Sequence, residues 1–310
     1  PVVTSPTPFR DFVHDLSTIV PPFTLYGAAK RGAGALAINI LAAALLAAFA
    51  WWMVDLTGNV PQWSAVAIGF YAVFSWASNL RARDPATFVL IWGTPAFLCT
   101  ALGYGLIALS SYGLAAWTAP YAELVLGLPK TELAFWLGAF AALSGFLGVI
   151  MGGRLADHLR TTNPAGRILV IMLGVLGPAI PIWIAFTTDN SAMFYGMNFL
   201  AGVLGSAALG AAAATTQDLV LPRMRGTATA VFFLATTLIG LGFGPYVVGL
   251  VADLTGQTVN GAVVGDLRTG ILSLIGIVPV AMLLLIYAYR SVPAAEASLL
   301  DRARAAGEPI

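Results

Sequence analysis

Charge is scarce in this chain. Only 9% of its 310 residues are Asp, Glu, Lys or Arg, against 59% that are hydrophobic. A soluble domain carries about a quarter charged residues, and its buried helices rarely stay charge-free for about eighteen residues. Here that happens repeatedly, which excludes a soluble all-α enzyme in favour of a polytopic membrane protein. The net charge of +1 leaves no electrostatic footprint for nucleic acid. The single cysteine, Cys99, lies in an apolar run and allows no internal disulfide. His14 and His158 are the two histidines, far apart and without cysteines or paired acids beside them, so neither a metal nor a cofactor is expected. No nucleophile–base pair occurs in an apolar run, which argues against an enzyme. The opening is Pro-rich and polar, with no secretory signal and no initiator Met, as expected of a portion of a longer protein.

What the chain has in quantity is apolar runs, together with 33 glycines and 18 prolines. Both residues are more frequent in membrane helices than in soluble ones. The runs predict eight spans, near 33–54, 62–80, 88–118, 133–153, 168–187, 191–217, 226–252 and 270–289, the third and seventh tilting or bending at Pro95 and Pro245. Placed on alternate sides, thirteen of the 15 Lys and Arg fall together and only Lys130 and Arg268 fall opposite. This separation requires an even number of spans and puts both termini in the cytoplasm of a bacterial cell, with the protein in the plasma (inner) membrane. Residues 1–32 form no span. Thr7-Pro8 can cap a short helix with Phe9, Phe12, Val13 and Leu16 on one face, lying in the membrane interface or on the chain's own loops. Residues 293–310 read as a cytoplasmic tail with a short polar helix.

The fourth run stops at Met151 in Gly152-Gly153-Arg154-Leu155-Ala156-Asp157-His158-Leu159-Arg160, which reads as a tight charged hairpin at the membrane surface. Its core, Gly153-x-Leu-Ala-Asp157, recurs as Gly249-x-Val-Ala-Asp253, and the topology puts the two copies on opposite sides, as an inverted repeat does. Asp157 at a helix end can accept hydrogen bonds from Arg154, Arg160 or a neighbouring helix's free N–H groups. Such bonds either latch the cytoplasmic side in a gate or only anchor the topology.

Small residues recur at four-residue spacing, Gly202, Ser206, Gly210 and Ala214 on one span and Ser144, Gly148 and Gly152 on another, which suits close helix packing or a ligand-facing wall. Gly240, Gly244, Pro245 and Gly249 make the seventh span either a hinge or a static kink. Polar groups inside the spans are few: Tyr104, Ser110, Ser111, Tyr112, Asn198, Thr236 and Thr237. With Trp117 they are the candidates for holding a polar head, Tyr104 and Ser111 sharing a face. No ionisable group other than tyrosine and Cys99 lies in a span interior, so proton coupling must come from elsewhere.

Gly153 to Arg160 resembles the cytoplasmic loop motif of the major facilitator superfamily, and Gln217-Asp218-Leu219-Val220-Leu221-Pro222-Arg223-Met224-Arg225-Gly226 resembles its linker between helices ten and eleven. Tyr112 to Tyr121 and Gly244 to Asp253 are similar to the spinster-like branch. The resemblance implies an MFS-type six-helix bundle with a 3+3 inverted repeat over residues 86–292, all-α, preceded by a linker at 1–32 and two extra transmembrane helices at 33–85. It also implies gating residues Gly153, Arg154, Asp157, Arg160, Asp218, Arg223 and Arg225. The amino-terminal six-helix half, which in this branch carries an acid and an arginine, is expected as a partner and as the source of proton coupling. The expected cargo is an amphipathic lysolipid or phosphorylated sphingoid base. An exporter of drugs or small organic anions and a non-transporting membrane scaffold or receptor are the other readings.

Overall fold

The computed structural model describes Phe9, residues 23–259 and residues 262–309. The amphipathic helix expected around Phe12 to Leu16 lies outside the described residues. Apart from a short antiparallel hairpin, Gln257–Val259 against Ala262–Val264, the described elements are helical. They divide into two compact units, one ending at Val89 and including residues 303–310, the other spanning Leu90–Arg302.

In the first unit α1 (Phe23–Arg31), α2 (Ala33–Thr57) and α3 (Val60–Arg83) pack together. The turn from α2 to α3 has a physical cause in each residue. Gly58 takes the left-handed conformation at φ 71, and Asn59 caps α3 by accepting from the Gln62 N–H at 3.1 Å. Trp63 donates to Thr57 Oγ1 at 2.8 Å, locking the turn. Arg31 reaches across to Asn79 at 3.2 Å. α4 (Pro85–Ile91) follows.

The second unit holds α5 (Pro95–Leu124), α6 (Lys130–Thr162), α7 (Gly166–Leu176), α8 (Ala179–Thr187), α9 (Ser191–Asp218), α10 (Arg225–Thr255), α11 (Leu267–Leu272) and α12 (Val278–Ala297). α13 (Leu299–Ala305) ends the chain. α5 packs most extensively on α10 and α6 on α9; α5 also packs on α12, and α9 on α7 and α8. Exchanging the first three spans for the last three maps each of these pairs onto another, which is the contact pattern of a 3+3 inverted repeat. Both principal seams depend on glycine. A Cβ on Gly152 would lie 2.2 Å from the Ala207 carbonyl, one on Gly148 2.4 Å from the Val203 carbonyl, and one on Gly244 2.4 Å from the Leu109 carbonyl. Only hydrogen fits where backbones approach this closely.

Several expectations are corrected. Among the described residues, seven of the eight expected spans are long and apolar enough by themselves to cross a membrane; α3 is diluted by Gln62, Ser64, Ser75, Ser78 and Asn79. Residues Gly152 to Arg160 are not a hairpin but the last turns of α6, because Gly152 is tolerated against α9 and nothing breaks the helix before Asn163. The turn is Asn163-Pro164-Ala165, with Asn163 Oδ1 accepting from the Ala165 N–H at 2.9 Å. The chain breaks before Pro95 rather than bending there, and α10 runs unbroken through Pro245. The fifth span is instead interrupted at Gly177-Pro178, where proline has no N–H to give to the preceding turn. α12 continues past Pro293 to Ala297, so the tail's first residues belong to that helix and its short polar helix is α13. In the small-residue stripes Gly202 packs on Ser144, but Gly210 faces open space.

Candidate substrate cavity and charged cluster

A cavity of about 840 Å³ opens within the second unit. α5, α6 and α9 contribute its polar side chains, among them Ser110, Ser111, Thr118, Ser144, Asn198 and Ser206. The Gly174–Ile182 break region and the stretch from Leu274 to Ala281 contribute apolar side chains and glycine only. Three of these six are engaged with their own helices: Ser110 donates to the Leu106 carbonyl at 3.4 Å, Ser144 to Ala141 at 3.1 Å and Asn198 Nδ2 to Phe194 at 2.8 Å. Their oxygens keep lone pairs for a ligand. Glu123 and Lys130, paired at 3.1 Å where α5 ends and α6 begins, are the charged side chains in the lining.

Of the eight residues expected to hold a polar head, Ser110, Ser111 and Asn198 line this cavity, and Tyr104, Tyr112, Trp117, Thr236 and Thr237 do not. Four of these five serve the α5–α10 seam or α10 itself. Tyr104 packs on Phe232 with ring centroids 5.2 Å apart, Tyr112 lies against Gly240, Trp117 donates to the Pro245 carbonyl at 2.8 Å, and buried Thr236 bonds the Phe233 carbonyl at 2.9 Å. Thr237 is exposed. Of the residues read as a hinge, Gly240 and Gly244 are buried against α5, and Gly249 touches Trp117. Sequence reasoning missed Thr118, Glu123 and Lys130, because nothing in the spacing says which face of α5 meets α6 rather than α10.

At one end of this unit the ends of α6, α9 and α12 and the start of α7 meet in a charged cluster. Asp157 pairs with Arg167 at 3.1 Å, and Arg167 also bonds Asp218. Arg160 lies 3.5 Å from Asp218 and grips Glu296 through two bonds of 2.8 and 2.9 Å. Planar forks of this kind are the stronger ion pairs. The expected partners of Asp157, Arg154 and Arg160, are thus replaced by Arg167, which sits at the start of α7 directly beyond the turn. Arg154 and Arg225 are exposed and form no ion pair among the described residues, and Arg223 is exposed. A Cβ on Gly153 would meet nothing within 4 Å, so this glycine serves no packing contact. Arg167 and Glu296 were not anticipated as members of this cluster, since Asp218 is 51 residues from Arg167 and Arg160 is 136 residues from Glu296.

The opposite end is tied by Tyr121. Its ring is fully buried against Phe186 and Phe194, and its hydroxyl donates to the Phe186 carbonyl at 3.0 Å and accepts from Arg268 at 3.4 Å. Asp266 caps α11 there, and the hydrogen bond from the Thr269 hydroxyl holds its carboxyl below the usual carboxylate range.

The Major Facilitator Superfamily model matches residues 16–245 and 100–310. An MFS-type efflux pump of Mycolicibacterium smegmatis is 30% identical over 161 residues, 51% of this chain and 37% of that protein. Human protein spinster homolog 1 is 28% identical over 195 residues, 58% of this chain and 35% of that protein. The sphingosine-1-phosphate transporter SPNS2 of Xenopus tropicalis is 32% identical over 133 residues, 42% of this chain and 25% of that protein. The chain thus spans little more than a third of the length of these relatives at most. The fold is shared with a bacterial homolog of the human lysosomal transporter Spinster in an inward-facing, unoccupied conformation, at TM-score 0.52 and 22% identity over 77% of this chain and 58% of that one. The family match, the paired helix seams and the spinster-like relatives agree: this integral membrane protein belongs to the Major Facilitator Superfamily.

Proposed function

We propose that this chain is the carboxy-terminal part of a secondary-active transporter that works by alternating access and moves an amphipathic, lipid-like solute, a lysolipid or a phosphorylated sphingoid base. The observation that carries the reading is the cavity of about 840 Å³, walled by apolar side chains with hydroxyls and one amide on its α5, α6 and α9 side. Pockets of this size and lining suit ligands with a large apolar body and a small polar group. A phosphate head needs a cation that the paired Lys130 does not freely offer, and an amino-terminal half bearing an arginine and an acid would supply both it and proton coupling. The names of the spinster and SPNS2 relatives support the lipid-like cargo.

The cluster of Asp157, Arg160, Arg167, Asp218 and Glu296 acts in this reading as a latch on the cytoplasmic end, broken as the halves rock. Both termini are then cytoplasmic in the inner membrane, and α3 crosses as an eighth span. Its 24 residues reach about 36 Å, enough for a hydrocarbon core of about 30 Å. A second reading, a proton-coupled exporter of drug-like solutes, is favoured by the Mycolicibacterium relative. The deciding experiment is flux in proteoliposomes holding the full-length protein, with lysophosphatidylcholine, a sphingoid phosphate and a hydrophobic cation. Lysolipid flux is expected. Proton-driven flux of the cation alone selects the exporter, and binding with no flux of any solute leaves only a scaffold.

A further inference from the structure

The lining of the cavity is divided by polarity, and the division follows the helices. Its hydroxyl, amide and charged side chains all come from α5, α6 and α9, whereas the wall formed by Val175, Pro178, Ala179, Ile182, Val278 and Ala281 has no polar side chain. That wall is built where the two interrupted spans meet the cavity, at the Gly177-Pro178 break and at the 3-10 turn Ser273–Ile277 preceding α12. A polar group pushed against it finds no side-chain partner and is disfavoured, while a hydrocarbon chain is favoured.

Between the two regions stands Gly205 of α9. The other glycines of α9 and α7 that line the cavity are crowded: a Cβ on Gly202 would meet Ser144 Oγ at 2.6 Å, and one on Gly174 the Ala208 methyl at 2.5 Å. A Cβ on Gly205 meets nothing closer than Pro178 Cγ at 3.8 Å. Helix packing therefore does not require glycine there. What the missing side chain leaves is open volume directed at Pro178, on the apolar wall.

We propose that this apolar recess seats the alkyl chain of the bound solute, and that Gly205 sets how long that chain can be. The inference rests on the cavity being the solute site and adds the orientation of the solute: head toward Ser111, Ser144 and Asn198, tail toward Pro178 and Ala281.

A chain-length ladder tests it. The full-length protein in nanodiscs is titrated with n-alkyl phosphocholines of about eight to sixteen carbons, affinity rising about fourfold for each methylene buried until the recess is full. Gly205→Leu adds four carbons where the recess begins, and leucine is a better helix former than glycine, so the variant is expected to fold. Its ladder levels off roughly three methylenes earlier, which costs the longest chains roughly fiftyfold in affinity and leaves the shortest unchanged. Ala179→Leu, from the opposite wall, produces the same truncation and keeps the test available if Gly205→Leu fails to fold. Partitioning into the bilayer is common to all three proteins, so the difference between ladders reports on the cavity. Identical ladders, or an equal loss at every length, overturn the proposal. Because the readout is binding, a truncated ladder in a protein that moves no solute keeps the tail seat and removes the transport reading, while lysolipid flux with an unaltered ladder does the reverse.

Discussion

Gly152 and Gly153 are adjacent in α6, identical in composition and opposite in environment. Substituting each by alanine tests whether the α6–α9 seam is held as described. At Gly153 a Cβ has nothing within 4 Å, so the change removes only glycine's excess backbone freedom and stabilises by about 1 kcal/mol. At Gly152 the same methyl lies 2.2 Å from the Ala207 carbonyl oxygen and 2.4 Å from its Cα. Ordinary contact is about 3.5 Å, and neither atom belongs to a side chain that could rotate away. The two helices must part by roughly 1 Å, which also loosens the contact of Gly148 with Val203. Overpacking of this kind costs about 1–3 kcal/mol; the propensity gain is common to both substitutions, so the two variants differ by about 1–3 kcal/mol. At about 2–4 °C per kcal/mol for a protein of comparable size, Gly152→Ala melts roughly 3 °C below wild type and Gly153→Ala roughly 3 °C above it. Fluorescence-monitored thermal unfolding of the detergent-solubilised protein reads both. Equal shifts, or a Gly152→Ala variant as stable as wild type, would refute the close approach of α6 to α9.

Asp218 accepts from Arg167 and also forms an ion pair with Arg160 at 3.5 Å, whereas Asp157 has one arginine and a side chain 71% exposed. Asp218→Asn is therefore expected to destabilise by about 1–3 kcal/mol and Asp157→Asn by less than about 1 kcal/mol, read by the same melts. Tyr121→Phe leaves the buried Phe186 carbonyl without its 3.0 Å donor and costs about 1–3 kcal/mol; a melt unchanged from wild type would count against that tie. The Asp266 carboxyl is held below its usual range by Thr269, so its contribution is complete above the unfolded value of about 4 and is lost as pH falls through the lower folded value. Asp266→Asn removes that acid-dependent step, which unfolding midpoints between about pH 6 and pH 2 would detect.

Apolar spans and the membrane setting are legible in the sequence because they follow from local hydropathy and the scarcity of charge. The recurrence of Gly153-x-Leu-Ala-Asp157 as Gly249-x-Val-Ala-Asp253 likewise announced the inverted repeat, at the ends of α6 and α10. Azimuth was not legible. Tyr104 and Ser111 share a helical face by spacing, yet Tyr104 meets Phe232 and Ser111 meets the cavity, because they lie about 10 Å apart along the axis and neighbouring helices diverge over that distance. Helices with apolar residues all round have no amphipathic stripe from which to read a facing partner. The same limit hid the Arg167–Asp218 and Arg160–Glu296 pairs: the charges were visible, but their meeting depends on helix ends brought together from 51 and 136 residues away. The sequence by itself determined that this protein crosses a membrane as paired triplets of helices; only the tertiary structure decided which faces close on backbone, which enclose the cavity and which arginine holds Asp157, since those are set by the packing of helix on helix and not by the order of residues along any one of them.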